Sequence, residues 1–367
     1  MFITGSMLYD LVACPHRLHM DTFADSSERD AVSPFVQLLW KKGALHESQV
    51  MAGFERPFTD LSGYRGDEHE RKTSEAMRRG DALIYAGHIR AGELLGVPDL
   101  LRREGGGYIA GDIKSGAGAE GSEGSEGLKK LKKRYAVQLA LYTDILERTG
   151  VSAARKGFIW DIHGNEVDYD LARPRSASHP RTLWEEYEAV LSQARAILSG
   201  RRATRAAYAS ICKLCHWRSA CLKQLEDDDD LTLIPELGRA KRDAMIESVP
   251  TVEALAKADV ADFGDGDGGK TIFPGIGPDT LAKFAERAGL LSASPAARPY
   301  LKEPLELPVA PVELFFDIEV DPMRDHAMPC ETWPDIPAQS NAGMGARALD
   351  WLWFASLWAG VYDRQHG

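Results

Sequence analysis

Pro98-Asp99, twelve residues, then Asp112-Ile113-Lys114 spell P-D-x12-D-x-K, two carboxylates and an ammonium at a spacing that decides the fold of this chain. Side chains alternate along a strand, so Asp112 and Lys114, two apart, share one face. Gly105-Gly106-Gly107 supplies the tight turn that lets the chain double back between Asp99 and Asp112. Adjacent strands between about 82 and 113 would then hold all three groups together. Carboxylate oxygens are the ligands a hard Mg²⁺ ion prefers. An ion so held polarises a phosphate and activates water, while Lys114 adds fixed charge for the developing phosphorane. The residue types therefore fit metal-dependent cleavage of a phosphodiester, although the spacing alone also arises by chance.

Working outward, the 367 residues carry 44 basic and 55 acidic side chains, a formal charge of −11, with 44% hydrophobic residues. That composition suits a soluble α/β protein of two or three domains and excludes fibrous and wholly disordered classes. It argues against a coat of non-specific positive charge while allowing a local cationic groove. Lys129, Lys130, Lys132, Lys133 and Arg134 form one basic cluster, its four lysines the candidate nucleic-acid contacts, and Arg201, Arg202 and Arg205 form another; either also fits a solvated helix face. Met1 to Asp10 lacks a basic segment leading into a long apolar run, and no apolar stretch reaches the roughly 18 residues of a membrane span, so a cytoplasmic location is expected.

Of five cysteines, Cys212, Cys215 and Cys221 lie at C-x2-C-x5-C spacing, while Cys14 and Cys330 stand apart. Three thiols in ten residues plus one distant partner point to four-coordinate binding of a metal or cluster. Iron-sulfur is the preferred occupant, with Zn²⁺ the alternative. A link from Cys14 closes a loop of about 200 residues; by analogy with a covalent cross-link it contributes about 5 kcal/mol.

Taken together, the P-D-x12-D-x-K pattern and Cys14, Cys212, Cys215 and Cys221 resemble the RecB-like branch of the P-D-(D/E)-x-K nucleases that carries a [4Fe-4S] clasp, as in CRISPR-associated iron-sulfur exonucleases. Gly43-Ala44-Leu45-His46-Glu47 resembles that family's first helix, whose histidine binds metal, and Gln138-Leu139-Ala140-Leu141-Tyr142 its Q-x-x-x-Y helix, which positions nucleic acid. The resemblance implies a restriction-endonuclease-like α/β core over residues 1–226 with a helical iron-sulfur clasp. It implies His46, Asp99, Asp112 and the Ile113 carbonyl as ligands of Mg²⁺ or Mn²⁺, with Lys114, Gln138 and Tyr142 completing the catalytic set. Within that core, helices are expected near 36–52, 128–148 and 181–199, with a hairpin around Gly164-Asn165. Leu128, Leu131, Tyr135, Leu139, Tyr142 and Leu146 form a 3.6-residue stripe, with lysines over the exposed side. Ser115 to Gly127 reads as a flexible Gly/Ser/Glu loop.

Beyond Asp227–Asp230, residues 231–292 read as a small all-α module. Phe273-Pro274-Gly275-Ile276-Gly277-Pro278 resembles a helix-hairpin-helix turn offering backbone N–H groups to a phosphate, with Gly275 and Gly277 as contacts. Ile234 to Lys257 forms a weaker first copy, separated by the run Gly264 to Gly269. Val312 to Glu319 is an apolar strand ending in D-x-E, similar to the first motif of RNase-H-like exonucleases, so residues 310–325 read as the start of such a domain. Only 42 residues follow Asp325. The segment 326–367, with Trp333, Trp351, Trp353 and Trp358, is therefore expected to be atypical, leaving Asp317 and Glu319 as a vestigial second site. The apolar run Leu349 to Val361 reads as an exposed liability more than an anchor.

These readings converge on a metal-dependent exonuclease acting on single-stranded or frayed DNA in repair, recombination or defence. The alternatives are a non-catalytic nucleic-acid-binding scaffold with a structural iron-sulfur or zinc site, and a redox protein supported by the cysteines alone.

Overall fold

The computed structural model describes residues 1–120, 130–176, 179–266, 269–293, 313–319 and 356–362. The chain divides into two units, Met1–Ala297 and Arg298–Gly367. The first begins with β1 (Ile3–Thr4), α1 (Gly5–Ala13) and α2 (Pro15–Phe23). The two helices part at Cys14, which is extended at φ −153°; Pro15 forces the residue before it out of the helical region and starts the next helix itself. After α3 (Pro34–Ala52) come β2 (Thr59–Asp60), α4 (Gly66–Arg79), β3 (Leu83–Tyr85), β4 (Ile89–Ala91), β5 (Leu94–Gly96), β6 (Leu100–Glu104) and β7 (Gly107–Ile113). The ribbon β8 (Ala119–Glu120) with β9 (Lys130–Leu131) precedes α5 (Lys133–Arg148), β10 (Ser152–Trp160) and β11 (Glu166–Asp170). A second ribbon, β12 (Pro174–Ser176) with β13 (His179–Thr182), leads into α6 (Leu183–Leu198), and helices α7 (Arg218–Asp227), α8 (Gly238–Met245), α9 (Val252–Lys257) and α10 (Pro278–Ser292) follow.

The main sheet has the order β11-β10-β7-β6-β3-β2, with β10 parallel to β7 and β2 parallel to β3 in an otherwise antiparallel arrangement. The P-D-x12-D-x-K stretch is its centre. Glu104 pairs with Gly107 across a two-residue turn in which Gly105 takes φ +53°, a conformation that costs glycine little. Every residue of β7 is buried, which is why its sequence runs without polar alternation. Gly111 is required for another reason: a Cβ there would lie 2.3 Å from Cζ of Phe158 on the neighbouring strand.

Helix α5 lies against this sheet and is covered on its other side by α1 and α6. Residues 136, 137 and 139–146 are all buried, so the expected half-exposed stripe is corrected to an almost fully enclosed helix. The expected start at 128 is also corrected. Leu131 satisfies a helical period equally well, but its backbone pairs with Ala119, and the helix begins at Lys133. Lys130 and Lys132 thus precede the helix instead of covering its face. The stretch read as a loop over 115–127 is partly strand at 119–120, and residues 121–129, with Leu128 and Lys129, lie outside the described residues.

A separate apolar cluster is drawn entirely from Leu231 to Ala288, including Leu255, Phe273, Ile276, Leu281 and Phe284. It is tied to the preceding chain by a buried ion pair, Arg242 Nη1 to Asp230 Oδ2 at 2.8 Å, with the same nitrogen donating to the Ala206 carbonyl at 3.1 Å. Gly275 at φ +74° turns the chain into α10, whose cap, Gly277, contributes no side-chain hydrogen bond. In the second unit, β14 (Glu313–Glu319) pairs antiparallel with β15 (Ser356–Tyr362), placing Asp317 opposite Trp358 and Glu319 opposite Ser356. Cys330, Trp333, Trp351 and Trp353 lie outside the described residues.

Candidate active site

The β6–β7 hairpin brings Asp99 and Asp112 together as its spacing implies. Asp99 Oδ2 accepts the Ile113 N–H at 2.8 Å, and Asp112 Oδ1 accepts the Asp99 N–H at 3.3 Å, so each carboxylate is fixed by the other's strand. Lys114 continues β7 by donating its N–H to the Trp160 carbonyl, and its Nζ lies 2.9 Å from Asp112 Oδ2. Asp112 is 1% exposed. Burial, reinforced by the Asp112 charge, holds the Asp99 carboxyl well above the usual range. Burial works against the Lys114 ammonium, but Asp112 and Asp99 outweigh it and keep this amine more firmly protonated than a free lysine. Lys114 is therefore a cation and donor in this site, not a base.

The chain leading into Asp99 is braced by a strained segment. Ala86, at φ +54°, donates its N–H to the Asp99 carbonyl at 2.7 Å, and Gly87 donates to Pro98 at 3.0 Å. The carbonyl of Ala86 accepts from His69 Nε2 at 2.6 Å.

Helix α3 supplies His46 and Glu47. His46 Nε2 is buried and has no hydrogen-bond partner among the described residues. Glu47 accepts the Tyr85 hydroxyl at 2.8 Å, and its charge is felt by Asp99. The sequence reading quoted Glu47 beside His46 without giving it a role; its signal was that position, on a helix turned toward the acids. From α5, Gln138 Nε2 donates to the Tyr142 hydroxyl at 2.9 Å. Burial, then the charges of Asp112 and Asp99, hold that phenol well above its ordinary pKa. A cleft of about 440 Å³ opens over Lys114, lined also by Ser6, Tyr9, Asp10, Tyr135 and Gln138. Tyr9 and Tyr135 belonged to no motif and were not anticipated as site residues.

Among the described residues no three His, Cys, Asp or Glu side chains are gathered at ion-holding distance. The donors nonetheless suit a divalent cation. Asp112 is buried against the Lys114 ammonium, burial and the Asp112 charge resist ionisation of the adjacent Asp99, and the buried His46 nitrogen lacks a partner.

Cys14, between α1 and α2, faces the segment bearing Cys212, Cys215 and Cys221. Burial raises the Cys221 thiol to about 12, with the charges of Cys215, Cys14 and Cys212 adding to it, although no three of these sulfurs stand at ion-holding distance. Burial raises Cys212 and Cys215 as well. Arg239 Nη2 donates to Cys14 Sγ at 3.4 Å and the Trp217 N–H to Cys215 Sγ at 3.5 Å. Thiols whose ionisation is opposed by burial and by one another's charge, with N–H donors aimed at sulfur, are a donor set that positive metal charge would relieve. Asp21 accepts from Trp217 Nε1 at 2.9 Å and Asp30 accepts the Ser219 N–H at 2.9 Å, tying the two segments together beside the thiols.

Of the expected basic contacts, Lys130 pairs with Glu120 at 3.1 Å and Lys133 with Glu186 at 3.5 Å, while Lys132 donates to the Ala117 carbonyl at 2.7 Å. Gly275 and Gly277 stand at the start of α10, within the 231–288 cluster. The family model described as PD-(D/E)XK nuclease superfamily matches residues 9–222, more than half of the chain. No curated protein matches it. No helix among the described residues is long and apolar enough to cross a membrane.

Proposed function

The chain belongs to the PD-(D/E)XK nuclease superfamily, and from that premise we propose that it is a Mg²⁺- or Mn²⁺-dependent deoxyribonuclease, acting as an exonuclease on single-stranded or frayed DNA. Members of the superfamily are generally nucleases, so the substrate class is nucleic acid and the reaction phosphodiester hydrolysis. The observation that supports this reading is the pairing of Lys114, which lines an open cleft, with the buried Asp112 behind it, beside the half-buried Asp99.

Asp99, Asp112, the Ile113 carbonyl and His46 are the residues that would hold the ion, with Glu47 next to Asp99. The bound ion supplies positive charge that polarises the phosphate and makes water a better nucleophile at neutral pH. Lys114, permanently protonated between the acids, orients the attacking water and meets the charge that builds on phosphate oxygen. Gln138, held by Tyr142, fixes the wall of the cleft along which the strand lies. Cys14, Cys212, Cys215 and Cys221 are the residues that would hold a [4Fe-4S] cluster, or Zn²⁺ in the alternative, which would act as a structural clasp. The turn at Gly275–Gly277 contacts DNA backbone, and Asp317 and Glu319 are remnants of a second, inactive site.

Anaerobic purification with metal analysis, then digestion of end-blocked oligonucleotides with Mn²⁺ or with EDTA, tests this. The expected result is Mn²⁺-dependent loss of free-ended single strands. Losing one preorganised electrostatic partner typically lowers the rate by about two orders of magnitude, and Asp112→Asn should show at least that. Cleavage by Asp112→Asn at the wild-type rate, or DNA binding with no cleavage under any metal, overturns the enzymatic reading in favour of a scaffold.

A further inference from the structure

Tyr9 of α1 and Tyr135 of α5 stack at the mouth of the cleft, with ring centroids 6.1 Å apart and planes 21° from parallel. Both are only partly buried. Three cations sit over these rings: Lys114 Nζ is 5.8 Å and Lys132 Nζ 5.2 Å from the Tyr135 centroid, and the Arg134 guanidinium is 5.2 Å from that of Tyr9. Among the described residues neither Lys132 nor Arg134 has a carboxylate at ion-pair distance, unlike Lys130 and Lys133. Asp10, which also lines the cleft, is paired with Arg17 at 3.1 Å. The result is a stacked aromatic pair with cations over its ring faces, opening directly onto the Lys114 ammonium, so an incoming base takes the place of the Lys132 or Arg134 head group, which turns to the phosphate.

We propose that the Tyr9–Tyr135 pair is a stacking subsite for one unpaired base next to the scissile phosphate, with Lys132 and Arg134 meeting the phosphates on either side. This subsite rests on the nuclease reading above. A base inside a duplex already has both faces covered by its neighbours, and a terminal paired base has only one free, so the subsite favours single-stranded or frayed ends. Every base has a π-face, so the subsite selects strand state without selecting sequence.

The test is metal-free binding in EDTA, read by fluorescence anisotropy for a single strand and for a blunt hairpin duplex, with a 2-aminopurine near the single-strand end to report stacking. Tyr9→Leu fills the same space without a π-face, whereas Tyr9→Phe keeps one. Tyr9→Leu should weaken single-strand binding about tenfold and remove most of the 2-aminopurine quenching, with the duplex affinity and melting temperature unchanged and Tyr9→Phe like wild type. Equal losses on both DNA forms, or Tyr9→Leu binding the single strand as wild type does, overturn the subsite. If wild-type protein cleaves with Mn²⁺ yet Tyr9→Leu binds unchanged, the subsite alone fails. Absence of both binding and cleavage in wild type overturns the nuclease reading and the subsite with it.

Discussion

Replacing Lys114 with methionine keeps the length of the side chain and removes its charge, leaving the buried Asp112 and the half-buried Asp99 without a cation. The amine lies 2.9 Å from Asp112 Oδ2, and that aspartate is 1% exposed. Breaking a buried ion pair by deleting one partner costs about 3–5 kcal/mol, because the remaining charge stays desolvated. The cost is capped, since the orphaned pair can take up a proton at 1.36 kcal/mol per unit of pKa. Asp99 already has a folded-state pKa above its ordinary value, and losing Lys114 raises it further. A carboxyl whose folded pKa is raised contributes most below its unfolded value and loses stability as pH rises through the folded one. The deficit should therefore be small near pH 4, the ordinary carboxylate value, and grow toward pH 8. Thermal unfolding in EDTA followed by circular dichroism measures it. A loss of about 3 kcal/mol in a unit of this size lowers Tm by roughly 5–10 °C, and the double variant Asp112→Asn/Lys114→Met should regain most of it. A Lys114→Met protein that melts with wild type at pH 8, or whose deficit is the same at pH 5, would refute the account of a desolvated acid pair held by one cation.

Asp99→Asn keeps an oxygen to accept the Ile113 N–H while removing the like charge, so the metal-free protein should melt higher than wild type at pH 8 and level with it near pH 4, although cleavage is lost. Tyr85→Phe deletes the hydroxyl that Glu47 accepts; about 1 kcal/mol of stability should go, and Mn²⁺ affinity by calorimetry should change more than DNA affinity. Arg242→Met leaves Asp230, at 0% exposure, with Arg205 at 3.3 Å as its remaining cation. A cost of about 1.5–3 kcal/mol is expected in chemical unfolding, with Asp230→Asn/Arg242→Met recovering most of it.

The P-D-x12-D-x-K spacing carried the central hairpin because glycines and a two-residue period leave little else for residues 99–114 to do. The matched family, the acid pair and its lysine were legible for the same reason. The start of α5 was not, since Leu131 fits a helix and a strand equally and only pairing with Ala119 decides between them. Nor was the enclosure of α5 on all sides, because a hydrophobic stripe shows which face is buried but not how many neighbours arrive. Ala86 carries no mark of its positive φ; the hydrogen bonds to Asp99 and His69 that impose it come from distant segments. Tyr9 and Tyr135 are 126 residues apart, so neither announces the other.

The pairing of the chain's opening with residues 217 and 219 has a consequence for how the chain is born. The first thirty residues carry Asp21 and Asp30, yet their partners at Trp217 and Ser219 are nearly 200 positions later. At typical synthesis rates of 5–20 residues per second, the opening segment waits roughly 10–40 s for the ribosome to deliver them. The hydrogen bonds that tie Asp21 to Trp217 and Asp30 to Ser219 therefore form late, after nearly all of residues 9–222 has left the ribosome.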